Sequence, residues 1–148
     1  MTVILIDTNV LVYSCDVSEP EKRAQAQQIL VRLQTENVGC LSVQCIAEFF
    51  HATTRGKLPI LDVQEAAQQA EILLSSFPTF PLTPMVLINA MRVAHEHQLS
   101  YYDAQIWACA LLNQIPVIFS EDFSDGQTLE GVHFVNPFVE TFELEKLI

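Results

Sequence analysis

Short, continuously apolar runs alternate along this chain with longer stretches in which apolar residues recur every three or four positions. Val3–Ile6, rich in β-branched residues, reads as a buried strand. Val38–Leu41 reads as a second, Val117–Phe119 after Pro116 as a third, and His133–Val135 after a glycine-containing loop as a fourth. Pro20 and Glu21 mark a helix start, with Ala24, Ile29, Leu30 and Leu33 on its apolar face. Ser42 is placed to cap a helix carrying Val43, Ile46, Ala47 and Phe50, which Arg55-Gly56-Lys57 closes. Asp62 can cap the next, whose stripe holds Ala66, Ala70, Leu73 and Leu74. A short extended piece around Phe80 follows among Pro78, Pro81 and Pro84. Residues Met85 to about His97 predict another helix, with Ile88, Met91 and Val93 in the core, and Ser100 opens a strongly apolar one through Leu112.

Strands alternating with helices predict an α/β fold, with helices covering a mostly parallel sheet. Strands buried on both faces should be short and apolar throughout, as these are. Sheets of this kind put their sites beyond the carboxyl ends of the strands. Asp7 follows the first strand directly, and Ser120-Glu121-Asp122 follows the third. Parallel strands would therefore bring these acids, far apart in sequence, to one edge.

Composition changes this picture in two ways. The 148 residues suit one domain with one sizeable core, and half of them are apolar. A mean hydropathy of +0.27 predicts that some apolar surface is given to a partner or a second copy. No apolar run reaches the length of a membrane span and the start lacks a secretory signal, so a cytoplasmic protein is expected. Cys15, Cys40, Cys45 and Cys109 form no C-x-x-C pair and argue against a zinc cluster or a disulfide framework. His95 and His97, two apart, face different ways on a helix and fail the zinc-protease spacing. The net charge is −11, from 18 acidic and 7 basic residues. This argues against tight nonspecific nucleic-acid binding through Lys and Arg, and is compatible with a cation site or a basic partner.

Each acid has a bland reading beside a sharper one. Asp7 can cap a helix starting near Asn9, or ligate a metal at a strand end with Thr8 and Asn9 as polar neighbours. Glu48 sits mid-helix in an apolar neighbourhood; its neighbours one turn away are Gln44, Cys45, His51 and Ala52, so no Lys or Arg pairs with it locally. Ser100-x-x-Asp103 has the form of a capping box, and a first-turn acid is favoured by the helix dipole. Glu121, Asp122 and Asp125 lie in a loop ending Asp125-Gly126, where acids are ordinary. Carboxylates brought together repel by ~4 kcal/mol per pair at 4 Å with an effective dielectric of 20. A multivalent cation would relieve that, and all-oxygen ligands suit Mg²⁺ or Mn²⁺.

Taken in order, these segments resemble the PIN-domain nucleases nearly from end to end. The N-terminal Val-Ile-Leu-Ile-Asp7-Thr8-Asn9 is similar to the family's opening. Glu48 in Gln-Cys-Ile-Ala-Glu-Phe-Phe matches its helical glutamate, and Asp103 in Ser-Tyr-Tyr-Asp-Ala-Gln-Ile-Trp-Ala its third acid. Ile118-Phe119-Ser120-Glu121-Asp122-Phe123 resembles the segment carrying the fourth, and Gly131–Phe138 resembles the closing strand. The resemblance implies a single nuclease domain over residues 1–148 with a three-layer α/β/α fold. It implies Asp7, Glu48, Asp103 and Asp122 as catalytic metal ligands for Mg²⁺ or Mn²⁺, with Thr8, Asn9 and Ser120 as supporting polar residues. Glu121 and Asp125 stand as alternatives or additions to Asp122. The implied reaction is endoribonuclease hydrolysis of RNA by a metal-activated water. The nearest type is the compact toxin of toxin–antitoxin pairs (VapC-like), a homodimer blocked by a small antitoxin. Arg55, Lys57 and Arg92 are the basic residues available to RNA phosphates, against a plain reading as solvated helix residues.

Two rivals set limits. A PIN-like module without activity would act by binding, and the −11 charge supports it. A phosphoacceptor or receiver-like domain should carry an acidic pair after its first strand and a lysine after its last core strand. Here a single Asp7 and a lysine-free Ser120-Glu121-Asp122 occupy those places.

Overall fold

In the computed structural model, which describes residues 1–148, the predicted alternation is present and the sheet is nearly all parallel. The elements in order are β1 (Ile4–Ile6), α1 (Thr8–Tyr13), α2 (Pro20–Thr35), β2 (Gly39–Ser42), α3 (Val43–Thr54) and α4 (Val63–Ser76). There follow β3 (Thr79–Phe80), α5 (Pro84–His97), α6 (Tyr101–Leu112), β4 (Val117–Phe119), β5 (Thr128–Leu129) and β6 (Val132–Val135). The strand order is β3-β2-β1-β4-β6-β5, and only the β5–β6 pair is antiparallel. Helices cover both faces in a three-layer α/β/α arrangement: α3 packs on α1 and α4, and α5 packs on α6. No helix is long and apolar enough to cross a membrane.

The polar signals that set helix starts are used much as the sequence predicts. Ser42 caps α3 by accepting from the Cys45 N–H, and Asp62 caps α4 by accepting from Glu65. Pro20 opens α2 at a position where its missing N–H costs nothing. Ser100 is different: its side chain makes no capping bond to α6, so the predicted capping box is not formed.

Several residues expected in the core lie outside it. On α5 the buried residues are Val86, Ala90 and Val93, while Ile88 and Met91 are more than half exposed. Val43 and Phe50 on α3, Leu74 on α4 and Ala24 on α2 also face outwards. Cys45, Ile46 and Phe49 form the α3 core face instead, and Ala26 takes the place of Ala24 on α2. These helices carry more apolar residues than one face accommodates, so the stripe alone does not say which side packs. Leu82, Met85, Ile88 and Met91 consequently leave an exposed apolar stretch at and along α5.

One glycine sets the spacing beneath the site. A Cβ on Gly39 would stand 2.9 Å from the Leu33 Cβ and 2.9 Å from the Phe77 ring. Strand β2 can therefore approach α2 only because this position has no side chain. Gly39→Ala is expected to destabilise the protein by about 1–3 kcal/mol through overpacking. A urea titration with a lowered midpoint and unchanged slope would record it.

Candidate metal centre at the sheet edge

Chain order reverses at β1, whose neighbours are β2 on one side and β4 on the other. At such a switch point the loops leave in opposite directions and open a crevice beyond the strand ends. The register pairs Ile6 with Phe119, and the Asp7 N–H donates to the Phe119 carbonyl at 3.0 Å. Asp7 and Ser120 thus emerge side by side. The sequence inference joining them holds.

Their polar groups form one network. The Ser120 hydroxyl donates to Asp7 Oδ2 at 2.7 Å, and the Thr8 N–H donates to Asp7 Oδ1 at 2.7 Å. Asp7 is thereby also the N-cap of α1, and its second oxygen remains turned to Ser120. Asn9 Nδ2 donates to Ser120 Oγ at 3.0 Å and to Asp122 Oδ2 at 3.1 Å, and its Oδ1 accepts from the Glu121 N–H. The Asp122 N–H donates to Ser120 Oγ at 3.1 Å. Thr8 Oγ1 donates to Glu48 Oε2 at 2.8 Å. Thr8, Asn9 and Ser120, expected as supporting residues, therefore hold three of the four matched acids.

Asp7, Asp103 and Asp122 each offer a carboxylate oxygen, and these lie within 4.8 Å of one another. Glu48 is not part of that triangle and reaches it through Thr8. None of these four acids is paired with Lys, Arg or His. Burial, with Asp122 and Asp103 adding repulsion, pushes the Asp7 carboxyl up to about 7, against lowering contacts from Ser120 and Thr8. Asp103 is also raised, first by burial, then by the charges of Asp122 and Glu48, with Ser100 opposing. A proton is the only counter-charge the protein itself offers here. The donor set, three carboxylates without a cation, fits a hard divalent ion better than any residue present.

Asp122 and Glu121 are adjacent but differently employed. Lys22 Nζ pairs with Glu121 Oε2 at 3.0 Å, and Tyr13 donates to the other oxygen. The same ammonium sits 4.6 Å from the Tyr13 ring centroid. Glu121 is thus already neutralised and turned away, while Asp122 faces the other acids. Asp125 is taken up by the Asn136 N–H at 2.8 Å. Arg92, open to a reading as a phosphate contact or as a plain helix residue, is bound by Glu130 and Glu96 at 3.0 Å each. Arg55 and Lys57 lie on the exposed turn after α3. Lys22 was not foreseen, because its link to Glu121 spans 99 residues. Gln44, in sequence only an uncharged neighbour of Glu48, donates to its Oε1.

The PIN domain profile matches residues 4–124, which includes all four acids. No curated protein matches the chain in sequence. Among solved structures, the fold is similar to VapBC2 from Rickettsia felis bound to a promoter DNA fragment, at 14% identity and TM-score 0.67, covering 90% of this chain and 97% of that one. It is similar to a toxin–antitoxin complex from Klebsiella pneumoniae at 20% identity and TM-score 0.64, covering 91% and 98%. It also resembles the sarcin–ricin-loop-cleaving toxin VapC20 from Mycobacterium tuberculosis, at 18% identity and TM-score 0.64, covering 80% and 89%.

Proposed function

The chain belongs to the PIN domain family, and from that premise we propose that it is a divalent-metal-dependent endoribonuclease of the toxin type. The observation that carries this reading is the unneutralised carboxylate triangle of Asp7, Asp103 and Asp122 at the switch point of the sheet. These three residues would hold Mg²⁺ or Mn²⁺, with Glu48 beside them. Bound there, the ion would lower the pKa of a water and polarise the scissile phosphate of RNA. The protein's own part is orientation. Ser120 and the Thr8 N–H aim the two Asp7 oxygens, Asn9 aims Asp122, and Thr8 aims Glu48. With no Lys, Arg or His paired to these acids, RNA would meet a site whose positive charge came mainly from the ion.

In this reading the chain works as one domain over residues 1–148, in the cytoplasm. An antitoxin with a basic segment would cover the acidic edge, a role the −11 charge supports. The exposed Met85, Ile88 and Met91 support a homodimer through α5.

The test is cleavage of end-labelled RNA in Mn²⁺ by the parent, Asp122→Asn and Glu121→Gln. Asp122→Asn is expected to lose at least roughly 100-fold, and Glu121→Gln to stay within a few-fold of the parent. The reverse ranking would move the fourth ligand to Glu121. A parent that cuts nothing in Mn²⁺ supports the rival binding module, which the net charge also favours.

A further inference from the structure

The geometry points to Gln44 as a positioning residue: a buried amide strut that sets the Glu48 carboxylate and ties it to the helix bearing Asp103. This rests on the reading that the acids bind a divalent ion.

Gln44 is 9% exposed and Gln105 is 4% exposed. Gln44 Nε2 donates to Glu48 Oε1 at 3.0 Å and to the Tyr102 carbonyl at 3.0 Å. Its Oε1 accepts from Gln105 Nε2 at 2.9 Å. Both N–H groups therefore meet partners that only accept, and its oxygen meets one that donates. A flipped amide would set oxygen against the carboxylate and carbonyl, and N–H against N–H. The orientation is over-determined.

The consequence falls on Glu48. One of its oxygens is held by Thr8 from the start of α1, the other by Gln44. An ordinary Gln–Glu pair one turn apart on a helix surface contributes a few tenths of a kcal/mol, and its long side chains remain free to turn. This pair differs in that Gln44 is buried, Glu48 is partly so, and the amide reaches a second helix. Tyr102, whose carbonyl the strut grips, directly precedes Asp103, and Gln105 lies on the same helix. One amide thus spans the two helices that bring Glu48 and Asp103 to the site. Removing it leaves the Gln105 N–H without this acceptor, takes from the Tyr102 carbonyl its bond beyond the helix, and lets the Glu48 carboxylate rotate.

Groups that orient metal ligands commonly change affinity by roughly 10–100-fold when lost. A plain packing role would weaken binding whether or not Glu48 is present, whereas a strut acts only through Glu48. The experiment is a double-mutant cycle on the full chain, reading the Mn²⁺ dissociation constant by calorimetry for the parent, Gln44→Met, Glu48→Ala and the double variant. Gln44→Met should weaken Mn²⁺ by roughly tenfold, and should add less than about twofold in the Glu48→Ala background. With RNA, Gln44→Met should lower kcat while leaving KM near that of the parent. Should Gln44→Met fail to fold, Gln105→Met carries the same cycle, since it releases only the far end of the amide. Its loss should be smaller and should likewise vanish without Glu48. Losses that multiply in the double variant overturn this inference alone. A parent that binds no Mn²⁺ overturns the metal reading and this inference together.

Discussion

Asp7→Asn is expected to abolish metal-dependent RNA cleavage while making the metal-free protein more stable at alkaline pH. The carboxyl is 3% exposed, and burial pushes it from 3.8 up to about 7. An acid whose folded pKa lies above its unfolded pKa binds more protons in the folded state between the two values. Stability therefore falls as pH rises from about 4 to 7, and the full cost is present above 7. The span from 3.8 to about 7 corresponds to on the order of 4 kcal/mol. Asparagine carries no charge to desolvate but keeps an oxygen for the Thr8 N–H, so the α1 cap survives. It gives up the charge-assisted bond from Ser120, which offsets part of the gain. A net stabilisation of roughly 1–3 kcal/mol at pH 8, shrinking towards zero at pH 4, is the expected result. Denaturant melts of parent and variant across that range, with EDTA present, would show it. Added Mn²⁺ should reverse the order at pH 8, because only the parent gains from binding. A site residue whose neutralisation stabilises the fold is one held against stability.

Trp107→Ala is expected to have the largest effect on stability, about 3–5 kcal/mol. Helix α6 is buried along Ala104–Ala110, and Trp107 at its middle is fully enclosed. Its Nε1–H donates to the Leu129 carbonyl at 3.1 Å, so the ring joins the helix to the β5–β6 hairpin. Truncation would leave a cavity and remove the bond to the Leu129 carbonyl, and both costs add. The same helix carries Asp103, so the variant should also bind Mn²⁺ less tightly. A urea midpoint lowered with unchanged slope would confirm a loss of stability without a change in the denatured state. A melt within 1 kcal/mol of the parent would show that α6 repacks.

What could be read from the residues was governed by how local each determinant is. The strand ends placed Asp7 beside Ser120-Glu121-Asp122, because parallel pairing and the switch-point rule need only strand order. Ser42 and Asp62 were legible as caps, since their partners lie three residues on. Ser100, with the same local pattern, makes no such bond, which shows that the pattern permits a cap without requiring one. The apolar stripe of α5 misled because Ile88 and Met91 compete with Val86, Ala90 and Val93 for the core, and tertiary packing decides. The two-residue β5 is too short to carry a period. In the site, the resemblance names Asp122 with Glu121 as its alternative, and what separates the two in space is Lys22, 99 residues from Glu121, which pairs with Glu121. Gln44 carried no signal as an uncharged helical residue, since its partners Tyr102 and Gln105 are 58 and 61 residues away.

The direct test of the carboxylate triangle is a calorimetric titration of Mn²⁺ into the parent and Asp7→Asn at pH 8. The parent should bind saturably, and Asp7→Asn should lose that binding while remaining folded and at least as stable without metal. Equal Mn²⁺ binding by the two proteins, or none by the parent, would contradict a metal centre built on Asp7, Asp103 and Asp122.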